Sequence, residues 1–193
     1  MTHTAKDFSH LLGNLEGFSD AQLKAHFTLY EGYVKKLNEV EEKLKTVDKS
    51  AANYSFNEYS ELKRRHAVPF NGTYLHQMYF ENMAKGAGEA SSELGSALTD
   101  CFGSVDNYIA ELKAAAGSTP GWVITCKNQI DGKITNFIMF EHHIGYPIHQ
   151  VPIMALDCWE HAFMIDYGIK KADYLSAFVK NLNWKVVNER FAA

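Results

Sequence analysis

Apolar residues after position 20 fall at steps of three and four. Leu23, His26, Tyr30, Tyr33, Leu37, Val40 and Leu44 share one stripe, which predicts a long amphipathic helix capped at Ser19-Asp20. The spacing puts His26 on the buried face of that helix. Ahead of it, Phe8, Leu11, Leu12 and Leu15 predict a short first helix over about residues 6 to 15, ended by Gly17. A second stretch runs helically from about Asn57 to Arg65 and is expected to break at Pro69. The pattern resumes from Thr73 to about Met83, with Gly72, His76, Tyr79, Phe80 and Met83 on one stripe, so His76 also faces inward. Lys85-Gly-Ala-Gly-Glu-Ala90 is a Gly-rich joint of low hydrophobicity and reads as a domain boundary.

Beyond the joint the character changes. Ser91 or Ser92 caps a helix to Phe102, and Ser104 caps another through about Ala116. Trp122 to Cys126, Ile134 to Phe140 and Val151 to Leu156 are β-rich, and Asp131-Gly132 between the first two is a hairpin signal. A helix is expected from Trp159 onward, and two more, Asp173 to Leu182 and Trp184 to Phe191, close the chain. The expected fold class is α/β (α+β). An N-terminal α-helical hairpin domain, residues 1–86, is followed by a C-terminal domain, residues 90–193, with a three-stranded antiparallel sheet and helices.

Composition narrows the function classes. A chain of 193 residues can bury about two-thirds or more of its unfolded surface without staples. With 46% hydrophobic and 22% charged residues and no apolar run near a membrane-span length, the expectation is a soluble protein with no membrane partner. A net charge of −4 and no dense basic stripe give no footprint for nucleic acid, and Lys63-Arg64-Arg65 reads as a solvated helix face. Cys101, Cys126 and Cys158 form no C-x-x-C pair, and the start Met1-Thr-His-Thr-Ala-Lys-Asp has no signal-peptide pattern. Reduced thiols in the cytoplasm are expected, and a zinc ribbon is excluded.

The chemistry concentrates where the third strand ends. Asp157 closes the apolar run Val151 to Leu156, and His161 follows four positions on, so a strand-to-helix corner can aim a carboxylate and an imidazole at one point. Such a pair is half of a site for a first-row metal. Alone it is more often a capping Asp and a satisfied His.

Asp157-x-Trp159-Glu160-His161-Ala-Phe163 closely resembles the metal-binding signature of iron/manganese superoxide dismutases. His26 ahead of Tyr33-Val34-Lys-Lys-Leu37-Asn38 is similar to that family's first segment. Phe70-Asn71-Gly72 followed by His76-Gln-Met-Tyr79-Phe80-Glu-Asn82 is similar to its second. Gly121-Trp122 and Asp173-Tyr174, Phe178 and Asn183-Trp184 match later segments, so the resemblance covers nearly the whole chain.

The resemblance implies one iron or manganese ion per subunit, held between the two domains by His26, His76, Asp157 and His161. It also implies dismutation of superoxide to dioxygen and hydrogen peroxide. Three neutral imidazoles and a carboxylate suit either metal. Trp122, Trp159, Phe80 and Tyr33 would wall the pocket, with Tyr33 as the hydrogen-bonding gate and Tyr30 as its alternative. A homodimer is implied, or a tetramer, with Glu160 reaching the partner's metal-bound His161. Rival readings are a metal-sequestering relative without activity and a mononuclear zinc hydrolase.

Three departures from the family pattern bear on function. His26 and Tyr33 stand one residue closer than is usual there. Tyr30 and Met164 stand where a His and a Tyr usually pair across the dimer, so an aromatic-sulfur contact is expected instead. Finally, no Gln occupies either usual outer-sphere position. One is Gly72, and the other falls in Glu141-His142-His143. A histidine is expected there in place of Gln, at His142 or His143, and the resemblance favours His143, since similar family members with a His in this segment place it two residues after the Glu.

Overall fold

A computed structural model describes residues 2–86 and 88–193. Its first half is a helical hairpin. Helix α1, Asp20–Thr46, starts where the Ser19 hydroxyl accepts the Gln22 N–H, and α2, Glu58–Glu81, starts where the Asn57 side chain accepts the Ser60 N–H. The helices run antiparallel, since His26 lies by Phe80, Tyr33 by His76 and Glu41 by His66. Their seam is apolar: Leu23, Tyr30, Leu37, Tyr79 and Phe80 are all essentially inaccessible.

Two expectations for this half are corrected. The first helix is only a 3-10 turn, Ser9–Leu11, because Gly13 and Gly17 take positive φ and turn the chain after one cycle. The helix does not break at Pro69 but runs through it. Pro69 supplies no N–H to the carbonyl of Arg65, yet Arg65 is exposed, so water can satisfy that group while packing against α1 holds the rest.

The second half carries the expected antiparallel sheet. Helices α3, Ser92–Phe102, and α4, Val105–Gly117, are capped by Ser91 and Ser104. Strands β1, Trp122–Asn128, β2, Ile134–Met139, and β3, Gln150–Asp157, form a sheet in the order β2-β1-β3, all neighbours antiparallel. β1 is central and buried on both faces over its first five residues. The helix expected from Trp159 is instead a 3-10 turn, Glu160–Ala162, followed by one short helix, α5, Met164–Tyr167. Helices α6, Lys171–Lys180, and α7, Trp184–Ala192, end the chain.

Two features carry this scaffold to the site. The register pairs Trp122 at the start of β1 with Asp157 at the end of β3 and with Met139 at the end of β2, so all three strands deliver their ends to one corner. Gly121 makes the corner possible. A Cβ there would lie 2.1 Å from the Met139 carbonyl oxygen, a backbone atom that cannot yield. The halves are joined by Asn82, fully buried, whose amide donates to the Ala155 carbonyl at 3.0 Å while Arg190 of α7 donates to its oxygen at 2.6 Å.

Candidate metal centre

The structure brings His26, His76, Asp157 and His161 together. One donor atom from each lies within 4.8 Å of all the others. His26 comes from α1, His76 from α2, Asp157 from the last position of β3 and His161 from the turn after it. Asp157 Oδ2 is the hub, at 3.1 Å from His26 Nε2, 3.2 Å from His161 Nε2 and 3.5 Å from His76 Nε2. Its other oxygen accepts the Trp159 N–H at 2.9 Å, which fixes the carboxylate plane. The Tyr174 hydroxyl donates to the Asp157 carbonyl at 2.6 Å.

The donor set fits a first-row metal. His76 Nδ1 lies 2.6 Å from the Gly72 carbonyl, an acceptor, so the proton is on Nδ1 and Nε2 is a bare lone pair. That lone pair faces Asp157 Oδ2 and His161 Nε2, the latter at 3.4 Å. A cation among these atoms would satisfy the His76 lone pair and the carboxylate oxygen together. Donors about 2.1 Å from an ion and 90–110° apart are about 3.0–3.5 Å from one another, the spacing seen around Oδ2.

Electrostatics agree. Burial pushes His76 down to about 3, so it is neutral at physiological pH. Burial also lowers His26, against the pull of Asp157. For Asp157 burial alone would raise the carboxyl, but attraction to His161 and hydrogen bonds from His161 and His26 hold it far below the usual range. A bound cation would provide the countercharge that a buried anion beside the neutral His26 and His76 needs.

Aromatic rings enclose the cluster. Phe80 lies 4.9 Å from the His26 ring, Trp122 stands edge-on to His76 at 5.0 Å, and Trp159 stacks along His161 at 6.3 Å. Tyr33 stacks on His76 at 5.2 Å. Burial, followed by the negative charges of Asp157 and Glu141, raises the Tyr33 phenol above its ordinary value, so it keeps its proton at neutral pH.

The neighbours left open by the sequence differ in their surroundings. His142, not the favoured His143, is the buried member of the pair, with Nε2 2.7 Å from the Tyr33 hydroxyl and Nδ1 accepting from the Trp122 indole at 2.9 Å. The Glu141–Ile144 bridge makes 142 and 143 the tip of a tight turn, where adjacent side chains diverge. Tyr30, the alternative gate, points elsewhere. Its hydroxyl accepts the Lys6 N–H at 3.1 Å, and its ring lies 5.9 Å from those of Phe8 and Phe80. At 1% exposure Tyr30 is inside the subunit, whereas Met164, expected to meet it in an aromatic-sulfur contact, is exposed at 44%.

Two further residues support these side chains, and the first was not singled out from sequence. Gln22, buried on α1, donates to the His161 carbonyl at 2.6 Å and accepts from Ile165 N–H at 3.1 Å, pinning the turn that carries His161. A polar residue next to Leu23 on the buried stripe was the available signal. Gly72 is the other. A Cβ there would come within 2.6–2.9 Å of three Tyr33 ring carbons, so the missing side chain is the space the ring occupies.

A profile of the iron/manganese superoxide dismutase C-terminal domain matches residues 90–190. A protein of Aquifex aeolicus named superoxide dismutase [Fe] is 39% identical over 183 residues, covering 92% of this chain and 86% of the relative. The chain belongs to the iron/manganese superoxide dismutase family. A second family member, superoxide dismutase [Fe] of Aquifex pyrophilus, matches to the same extent. A protein of Mycolicibacterium smegmatis named superoxide dismutase [Mn] is 30% identical over 99% of this chain and 93% of its own length. The similarity to these superoxide dismutases spans both halves, so it covers the helical donors as well as the segment matched by the profile.

The packing of Tyr33 over Gly72 is open to a double-mutant cycle. Gly72→Ala should lower stability to denaturant by about 1–3 kcal/mol through overpacking. In a Tyr33→Ala background the same change should cost nearly nothing, because the ring it collides with is gone. Equal losses in the two backgrounds would mean that the ring does not depend on this glycine.

Proposed function

We infer that this protein is a superoxide dismutase that holds one iron or manganese ion per subunit and converts two superoxide anions to dioxygen and hydrogen peroxide. What carries the reading is the buried cluster of three imidazoles and one carboxylate in a chain of this family. The proposed ligands are His26, His76, Asp157 and His161. Relatives named for iron and for manganese both match, and the donor set accepts either.

The chemistry supplied by a bound ion is a one-electron couple between its trivalent and divalent states, across which one superoxide is oxidised and a second is reduced. The chain supplies the rest. Neutral His26 and His76 with anionic Asp157 contribute a single negative charge, which sets how strongly the trivalent state is favoured. Phe80, Trp122 and Trp159 exclude bulk water and admit only a small substrate. Reduction of superoxide to hydrogen peroxide consumes two protons, and Tyr33 is the protonated group at the inner wall. His142, on the Tyr33 hydroxyl, is the proposed outer-sphere residue in place of the usual Gln.

The site is further proposed to lie between two domains, residues 1–86 and 90–193, and to be completed in a homodimer. Support for the dimer comes from His161, whose side chain is 31% exposed and whose Nδ1 has no partner among the described residues. Next to it stand the exposed Glu160 carboxylate and the exposed apolar Met164 and Ile165. A two-fold axis there would let each Glu160 accept from the partner's His161 Nδ1–H. A reducing compartment, the cytoplasm, is proposed from the unpaired Cys101, Cys126 and Cys158. No helix among the described residues is long and apolar enough to cross a membrane.

Three outcomes test this reading. His161→Ala should lose metal and superoxide consumption together, with affinity falling by at least the ~10–100-fold typical of lost outer partners. His66→Ala should change neither, since His66 pairs with Glu41 in a separate cluster. Elemental analysis alongside activity decides, and full metal occupancy with wild-type activity in His161→Ala would sink the assignment. Glu160→Ala should shift the dimer toward monomer and weaken metal retention, read by light scattering and metal analysis. A wild-type protein that is monomeric at micromolar concentration would remove the premise. Protein reconstituted separately with each metal should consume superoxide with both. His142→Gln should change the ratio of iron to manganese activity and His143→Gln should not, and an unchanged ratio in both rejects the outer-sphere role.

A further inference from the structure

We propose that Trp122 sets the direction of the hydrogen-bond chain beside the metal centre, holding His142 as the Nε2–H tautomer so that its one proton is spent on Tyr33 and the chain of these three residues ends in the Tyr33 O–H. Trp122 therefore acts as a positioning residue, and the inner proton donor is the phenol, not the imidazole.

The inference follows from donor and acceptor counting. An indole N–H can only donate. Trp122 Nε1 lies 2.9 Å from His142 Nδ1, so that nitrogen accepts and carries no proton. An imidazolium would set N–H against N–H, so the arrangement selects the neutral ring, and its single proton is on Nε2. Nε2 lies 2.7 Å from the Tyr33 oxygen, which therefore accepts and leaves its own hydrogen free to point elsewhere. The parts are held firmly. Trp122 is 0% exposed and heads the central strand, and the His142 carbonyl accepts from the Asn71 amide at 2.5 Å. The Tyr33 ring is clamped between His76 and the space left by Gly72.

This has a consequence specific to a histidine. A carboxamide at position 142 could accept from Trp122 through its oxygen and still have two N–H groups to give, one to Tyr33 and one to the site. The imidazole has one, already committed. His142 thus tunes the centre through Tyr33, and the chain presents one proton where a glutamine would present two. The tautomer stands on geometry alone, whereas its effect on turnover rests on the activity proposed above.

The direct test is nitrogen-15 NMR of the full chain loaded with diamagnetic Ga(III). His142 Nδ1 should show the shift of an unprotonated ring nitrogen and Nε2 that of a protonated one. A coupling across the hydrogen bond should link Trp122 Nε1 to His142 Nδ1. A proton on Nδ1, or no such coupling, overturns the inference whatever the enzyme does. For the consequence, Tyr33→Phe should reduce superoxide turnover by a larger factor in the wild-type background, where it removes the one free proton of the Trp122–His142–Tyr33 chain, than in His142→Gln, where a spare amide N–H remains. Equal factors would show that the phenol is not the sole donor. A protein with the expected tautomer and coupling but no superoxide consumption would leave the hydrogen-bond polarity standing and refute the proposed activity instead.

Discussion

The structure depends on one buried charge. Asp157 ends a strand whose preceding four residues are fully buried, and its own side chain has no access to solvent. An unpaired carboxylate in that position would cost several kcal/mol. It persists because Trp159 N–H fixes one oxygen while three imidazoles converge on the other, and because Tyr174 braces its carbonyl. The partners come from α1, α2, α6 and the turn after β3, so the charge is fully accommodated only when the hairpin, the end of β3, that turn and α6 are all in place. Local order at this point and global folding are therefore the same requirement.

The two halves meet that requirement differently. In the hairpin, His26 and His76 are aimed by helix periodicity and locked by close packing, with His76 tied to the carbonyl one turn back at Gly72. In the second half aim comes from strand register, which sets Trp122 opposite Asp157, and from Gly121, which lets the end of β2 approach. Gln22 crosses between them and holds the turn carrying His161 by its backbone, leaving the imidazole free to face Oδ2.

Much of this was legible in the residues, and the misses have physical causes. Steps of three and four put His26 and His76 on buried faces, and the apolar run ending at Asp157 placed the carboxylate at a strand end. Both are first-order consequences of burial, which sequence records directly. Pro69 misled because a proline's cost depends on whether the orphaned carbonyl can reach water, a tertiary fact. That His142 rather than His143 is the buried one was not available from spacing, because in a tight turn a shift of one residue reverses which side chain points inward. Tyr30 showed the limit of reading roles position by position. It lies on the same stripe as His26 and Tyr33, yet Phe8 and the Lys6 N–H draw it into the core beneath the N-terminal segment.

The departures at Tyr33, Gly72 and His142 are best understood as one rearrangement. α1 is uninterrupted from Asp20 to Thr46, so Tyr33, seven residues after His26, stays on the same face and stands about 10.5 Å further along the axis. At that height its ring meets α2 at position 72, where any side chain would collide with it. With glycine there, position 72 offers Tyr33 no polar partner, and a phenol in a largely apolar wall gains from one. His142 supplies it from the opposite wall, reaching in from the loop after β2 with Trp122 behind it. Volume removed from the helix is restored from the loop, but the hydrogen-bonding capacity is not restored in kind, because an imidazole that accepts from an indole has one proton left to give.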